Sequence, residues 1–324
     1  MADREEHLRT PLGGLSRADW LTRAEDIAEY DGYFEPVGKQ HSAIFIDRDP
    51  SVLIVSFEEL DTVRLSDELG HPVGFHLART RDWSHLCIMA EGETWYRDRA
   101  LYGYFDRLID DGFFEDFDRV IFYGAEMGAY GAAAFSVASP GSTVIAIQPV
   151  ATLEPDRTVW DPRYADRRRL DFTTRYGYGP EMVEAAAKAY VIFDPQERLD
   201  AIHAALYDRE TVTHLRCRHL GDRIALEFER MGILQKVLEA AGDGTLDARS
   251  FFTLYRERRT NAAYLRRLLA ELEGDDRPYL AALLCRNAVQ RLNQRRFREG
   301  LRRAQAQLVE RGITFTWPQL ISAE

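Results

Sequence analysis

Val120-Ile-Phe-Tyr-Gly-Ala-Glu-Met-Gly-Ala-Tyr-Gly-Ala-Ala-Ala-Phe135 decides how this chain is read. An apolar, β-forming run meets the small residues Gly124 and Ala125, then Glu126, then a stretch dense in Gly and Ala. The change of pattern predicts a strand that turns directly into a helix. Backbones that meet at such a turn approach closely, so the residues beside it must be small. Gly124, Gly128 and Ala129 satisfy that demand.

Working outward, short apolar runs alternate with helical stretches from His41 to Cys217, the mark of an α/β domain with a mainly parallel sheet. The predicted strands are Ala43 to Ile46, Val52 to Phe57, Val73 to Leu77, Leu86 to Ala90, Val120 to Tyr123, Thr143 to Gln148, Tyr190 to Phe193 and Thr213 to Cys217. Helices fit Asp98 to Asp111, Met127 to Val137, Glu181 to Ala187, Gln196 to Leu206 and Arg223 to Met231. Residues 1–41 read as a lead-in segment with one short helix near Asp19 to Tyr30, capped by Ser16. Residues 42–231 form the α/β domain, interrupted at about 149–181 by a polar and aromatic lid-like insertion. Residues 232–324 read as a helical C-terminal domain, with Leu265, Leu268, Leu269 and Leu272 on one face and Leu280, Leu283, Leu284 and Val289 on another. Within it, Tyr279 to Val309 looks slightly like one tetratricopeptide unit, with small residues at Ala288, Gly300 and Ala304; a plain helical extension is the simpler reading.

With 324 residues, 45% apolar and 29% charged, the chain falls in the globular range and can bury a sizeable core. No run approaches the roughly 20 apolar residues a membrane helix needs, so no membrane association is expected and the cytoplasm is the expected location. The net charge of −11 makes nucleic acid an unlikely partner for the whole chain. Between Arg249 and Arg311, however, fifteen Arg face seven Asp or Glu, giving +8 there and −19 elsewhere. That basic stretch is read as a solvated helix face or one that docks on an acidic partner. Cys87, Cys217 and Cys285 are scattered, without a Cys-x-x-Cys or Cys/His spacing, so neither a disulfide framework nor a thiolate metal site is expected. Phosphate-loop, dinucleotide and His-Glu-x-x-His fingerprints are all missing, so no cofactor is expected either.

Gly124-Ala-Glu126-Met-Gly128 resembles the Gly-x-Ser-x-Gly nucleophile elbow of the α/β-hydrolase family, with Glu in place of Ser. The resemblance covers about residues 42–231 and implies a three-layer, mainly parallel sheet with the C-terminal helices as an all-α extension. Family triads run nucleophile, acid, histidine, each near a strand end. The resemblance therefore assigns the acid to Asp194, at a strand end adjacent to that of Glu126. The base falls at His219 or, if it directly follows the glycine, at Asp222. An oxyanion hole is implied at the amide of Met127 and at one from the Ser56 to Glu58 segment, with Phe57 as the candidate. The plain alternatives are a packing turn at Glu126, a turn cap at Asp194 and a surface histidine at His219.

Glutamate gives an elbow no proton for an imidazole to remove at neutral pH. A helix beginning at Met127 would direct its positive end at Glu126 and hold its pKa below the ordinary value. The expected function is thus a hydrolase-like protein that has lost its serine nucleophile and serves as a binding or accessory module. Its candidate partners are a small-molecule ligand in the cleft and a protein at the C-terminal helices. The alternative is an active hydrolase that uses Glu126 as carboxylate nucleophile or general base.

Overall fold

The computed structural model describes residues 6–313. Among these, eight strands build one sheet: β1 (Gly32–Val37), β2 (His41–Ile46), β3 (Asp49–Glu59), β4 (Trp83–Ala90), β5 (Val120–Ala125), β6 (Thr143–Ile147), β7 (Lys188–Phe193) and β8 (Val212–Arg216). Their spatial order is β1-β2-β4-β3-β5-β6-β7-β8. Only β2 pairs antiparallel, with β1 and β4; every other pairing is parallel.

Beside shorter helical turns, the main helices of the same region are α1 (Arg17–Asp31), α2 (Val73–Arg81), α3 (Arg99–Asp110), α4 (Met127–Phe135), α5 (Arg198–Leu206), α6 (Ile224–Arg230) and α7 (Leu234–Gly242). Strand alternation sends side chains to two cores. Leu53, Val55 and Phe57 of β3 join Leu101, Phe105 and Phe135 on one face. Ile44, Ile46, Cys87 and Met89 face the other way and pack against Trp20 and Ile27 of α1 and Phe75 of α2. The result is a three-layer α/β architecture.

Two elements depart from the sequence reading. The predicted strand Val73 to Leu77 is the first half of α2. Val73, Phe75 and Leu77 alternate with Gly74 and His76, a strand-like pattern too short to exclude a helix. Pro72 and the Glu58 carboxylate, which accepts the Val73 N–H at 3.1 Å from both oxygens, favour a helix start. The segment read as a lead-in supplies both a helix and a strand. Ser16 caps α1 as expected, its hydroxyl accepting the Asp19 N–H. β1 then adds an edge to the sheet, and Trp20 buries its ring while donating to the Gly70 carbonyl at 2.8 Å.

The chain divides after Phe251 into two compact units. The second contains α8 (Ala262–Gly274), α9 (Pro278–Leu292) and α10 (Arg295–Glu310). α9 stops at Asn293, whose φ of 47° fits the left-handed position that ends helices. The small residues singled out in the sequence lie in the packing: Ala288 and Ala304 are buried, and a Cβ on Gly300 would stand 2.8 Å from Cys285 Sγ. No helix among the described residues is long and apolar enough to cross a membrane.

Candidate functional site

Glu126 occupies the turn between β5 and α4 with φ 54° and ψ −116°, a conformation that costs a non-glycine residue energy. Its N–H donates to the Ile147 carbonyl at 2.8 Å, and its own carbonyl accepts from Ala129 and Tyr130 as α4 begins. The neighbouring glycines are required by contact. A Cβ on Gly124 would lie 2.0 Å from the Gly128 oxygen, and one on Gly128 would lie 2.1 Å from the Phe57 oxygen. A strained residue held between two backbones in contact, at the end of a central parallel strand of this sheet order, decides the fold. It is an α/β-hydrolase fold.

The Glu126 side chain is reachable by water, yet protein crowds it closely enough to strip part of its hydration. That desolvation raises its pKa. Arg223 and Arg163 oppose the rise, while Asp200 and Asp222 add to it. The expectation of a lowered pKa is therefore corrected. Its side chain makes no capping hydrogen bond to α4, so the helix terminus does not compensate for burial. Glu197 is raised for the same reasons, with Asp194, Asp222 and Asp200 adding to its desolvation.

Asp194 follows β7, which is separated from β5 by β6 rather than lying next to it. It is buried, and its oxygens accept the N–H groups of Gln196 (2.9 Å), Leu220 (2.8 Å) and Gly221 (2.9 Å). The carboxylate thus fastens the loop after β8 to the end of β7. His219 lies in that loop with φ 67°, its N–H donating to Gln196 Oε1 at 3.0 Å. Asp222 is exposed and close enough to Glu126 to act on it electrostatically.

Met127 is the first residue of α4, so its N–H has no carbonyl of its own helix to meet. Phe57 is different. It is interior to β3, paired with Ile88 and Gly124, and the group it turns toward the elbow is its carbonyl.

Sequence reasoning missed much of the surroundings. Trp95 and Tyr96 both adopt φ near +53°, at 53° and 54°, in the loop before α3. The Trp95 N–H meets Met127 Sδ at 3.2 Å, and its ring packs edge-on to Tyr164. From the insertion, Arg163 reaches Asp161 (2.8 Å) and Asp200 (2.5 Å), and Asp161 also meets His203 Nε2 at 3.0 Å. Although burial works against it, hydrogen bonds from His203 and Arg163 keep the Asp161 carboxyl well below its usual range. Gln148 links this group to the β8 side, donating to Asp200 and accepting the Ile224 N–H, both at 2.9 Å. Arg97 secures the insertion elsewhere: it donates to the carbonyls of Asp171 (2.7 Å) and Arg175 (2.9 Å) and to the hydroxyls of Tyr130 and Thr174. Non-glycine residues at positive φ carry no composition signal, which is why this loop was invisible.

No family model matches the chain, and no curated protein does. Solved structures do resemble it. A glycosylation-associated protein complex (Gap123) from Streptococcus agalactiae aligns at 16% identity and TM-score 0.43, over 66% of this chain and 46% of that one. The chain therefore spans less than half of that protein. A carboxyl esterase from Tuber melanosporum aligns at 12% identity and TM-score 0.41, over 65% and 82%. An esterase from Pyrobaculum calidifontis aligns at 14% identity and TM-score 0.39, over 77% and 92%. The fold assignment rests on the sheet order and the elbow.

Three outcomes follow from this geometry. Gly128→Ala places a methyl against a backbone oxygen that cannot rotate away, so urea unfolding should show a loss of about 3 kcal/mol or more. Asp194→Ala leaves backbone donors unsatisfied and should cost about 3 kcal/mol in the same assay. A raised folded pKa at Glu126 contributes stability that is complete below the unfolded value of about 4.3 and lost as pH rises through the folded value. Glu126→Gln cannot ionise, so it should melt above the wild type near pH 7, by a margin that partial hydration keeps modest and that closes toward pH 4.

Proposed function

We propose that this chain is an α/β-hydrolase-like protein that has lost serine chemistry and acts as a non-catalytic binding or accessory module. A small molecule would bind in the cleft at Glu126, and a protein partner at the helices beyond residue 251. One observation supports the reading: the buried Asp194 carboxylate accepts the backbone N–H groups of Leu220 and Gly221 and so serves to hold the loop after β8. With glutamate at residue 126 the hydroxyl on which acyl transfer from an elbow depends is missing. The Trp95–Tyr96 loop meets the elbow at Met127 and the insertion at Tyr164 while Glu126 itself stays open to solvent, which suits a site kept for binding.

A second reading has its own support. A carboxyl group raised by desolvation beside two arginines suits a general base or a carboxylate nucleophile.

Hydrolysis of p-nitrophenyl acetate separates the two. Wild type and Glu126→Ser should both stay near the uncatalysed rate, because a hydroxyl without an oriented base gains little. A working triad would exceed that rate by at least about 10³-fold. Strong activity in Glu126→Ser would show that base and oxyanion hole had survived. Turnover by the wild type that Glu126→Gln abolishes would establish the carboxylate as a catalyst and overturn the binding reading.

A further inference from the structure

On the face of the sheet opposite the α4 core, β3 and β4 bring together four polar side chains that the elbow chemistry does not use. Ser56 stands opposite Cys87 in the parallel register, with Glu58 two residues after Ser56 and His85 two residues before Cys87. A period of two puts all four on one face. Ser56, His85 and Cys87 are buried, while Glu58 is partly accessible and gives the group a route to solvent.

We propose that Glu58, His85 and Cys87 form a binding site for a divalent transition metal ion of the zinc class. One donor atom from each residue lies within 4.8 Å of the other two. For such a set, some point lies within about 2.8 Å of all three, so small rotamer shifts reach zinc bond lengths of about 2.0–2.3 Å. Cys87 Sγ and Glu58 Oε1 are 3.7 Å apart, already the separation expected of two ligands on one tetrahedral centre. Thiolate, imidazole and carboxylate together favour zinc over calcium or magnesium, which take oxygen ligands.

Two further observations point the same way. His85 Nδ1 is buried with no hydrogen-bond partner among the described residues. The nitrogen that faces the group is Nε2, through Ser56, so it is Nε2 that would exchange that contact for a metal, while the unsatisfied Nδ1 leaves the ring without a competing anchor. The Ser56 hydroxyl sits between Glu58 Oε1 (2.6 Å) and His85 Nε2 (2.8 Å), where it can orient both ligands or supply a fourth donor. The ring's place is itself fixed by sequence, since a Cβ on Gly74 would come within 2.1 Å of it. Two paired central strands hold all the donors, a rigid platform for a metal.

The test uses the full chain, stripped with chelator under reducing conditions and titrated with Co²⁺. One equivalent should bind and give thiolate-to-cobalt charge-transfer absorption that Zn²⁺ displaces. Cys217→Ser and Cys285→Ser should keep that absorption, Cys87→Ser should abolish it, and Ser56→Ala should weaken binding about tenfold. Should Cys87→Ser fail to fold, the melting temperature decides: Zn²⁺ should raise that of the wild type and leave Glu58→Gln unmoved. No absorption in the wild type, its persistence in Cys87→Ser, or an equal Zn²⁺ shift in Glu58→Gln would overturn the site.

Discussion

Gly128 touches the Phe57 carbonyl, and the arrangement of the elbow depends on that contact. It fixes how near α4 comes to β3, and through the Gly124–Gly128 contact how near it comes to its own strand. With both distances set by backbone atoms, the residue between them has little freedom. Glu126 is driven to positive φ, and its side chain is delivered to the C-terminal end of the sheet whatever its chemistry. The scaffold thus presents residue 126 independently of whether that residue is a nucleophile. A glutamate can be carried there without altering the architecture around it.

That independence explains what the sequence made legible. Strand runs other than Val73 to Leu77, small residues beside Glu126 and the Ser16 cap are local signals, and each corresponds to an observed element. β1 escaped notice because Glu35 and Pro36 interrupt its apolar pattern, as an edge strand allows. Val73 to Leu77 was misread because its helical state is fixed by Glu58, a residue from a different strand. The Glu58, His85 and Cys87 cluster has no local motif because its residues come from two strands. Its trace in the sequence is a pair of short same-face spacings, Ser56-x-Glu58 and His85-x-Cys87. The electrostatics of Glu126 were least legible of all, since they depend first on how closely the fold crowds the side chain and then on Arg223, Asp200, Asp222 and Arg163, which come from distant segments.

Around the elbow, polar groups that could have served chemistry are instead joined to the backbone. Asp194 holds the loop containing Leu220 and Gly221, and Gln148 bridges Asp200 to the first amide of α6. His203 accepts the Ala151 N–H on one nitrogen and meets Asp161 with the other. Each carboxylate or imidazole is satisfied by a partner fixed in the fold, which leaves it poorly suited to exchanging protons with a substrate. Glu126 and Asp222 differ in remaining open to solvent.

Arg97 gives the insertion a further character. One guanidinium gathers two carbonyls and two hydroxyls and lies against the rings of Tyr102 and Phe172. A covering fastened at so many points does not swing on a hinge; it opens only when several bonds break together. Any rearrangement of the insertion would therefore proceed at a pace set by cooperative local unfolding, like a seam that gives only when several stitches part at once.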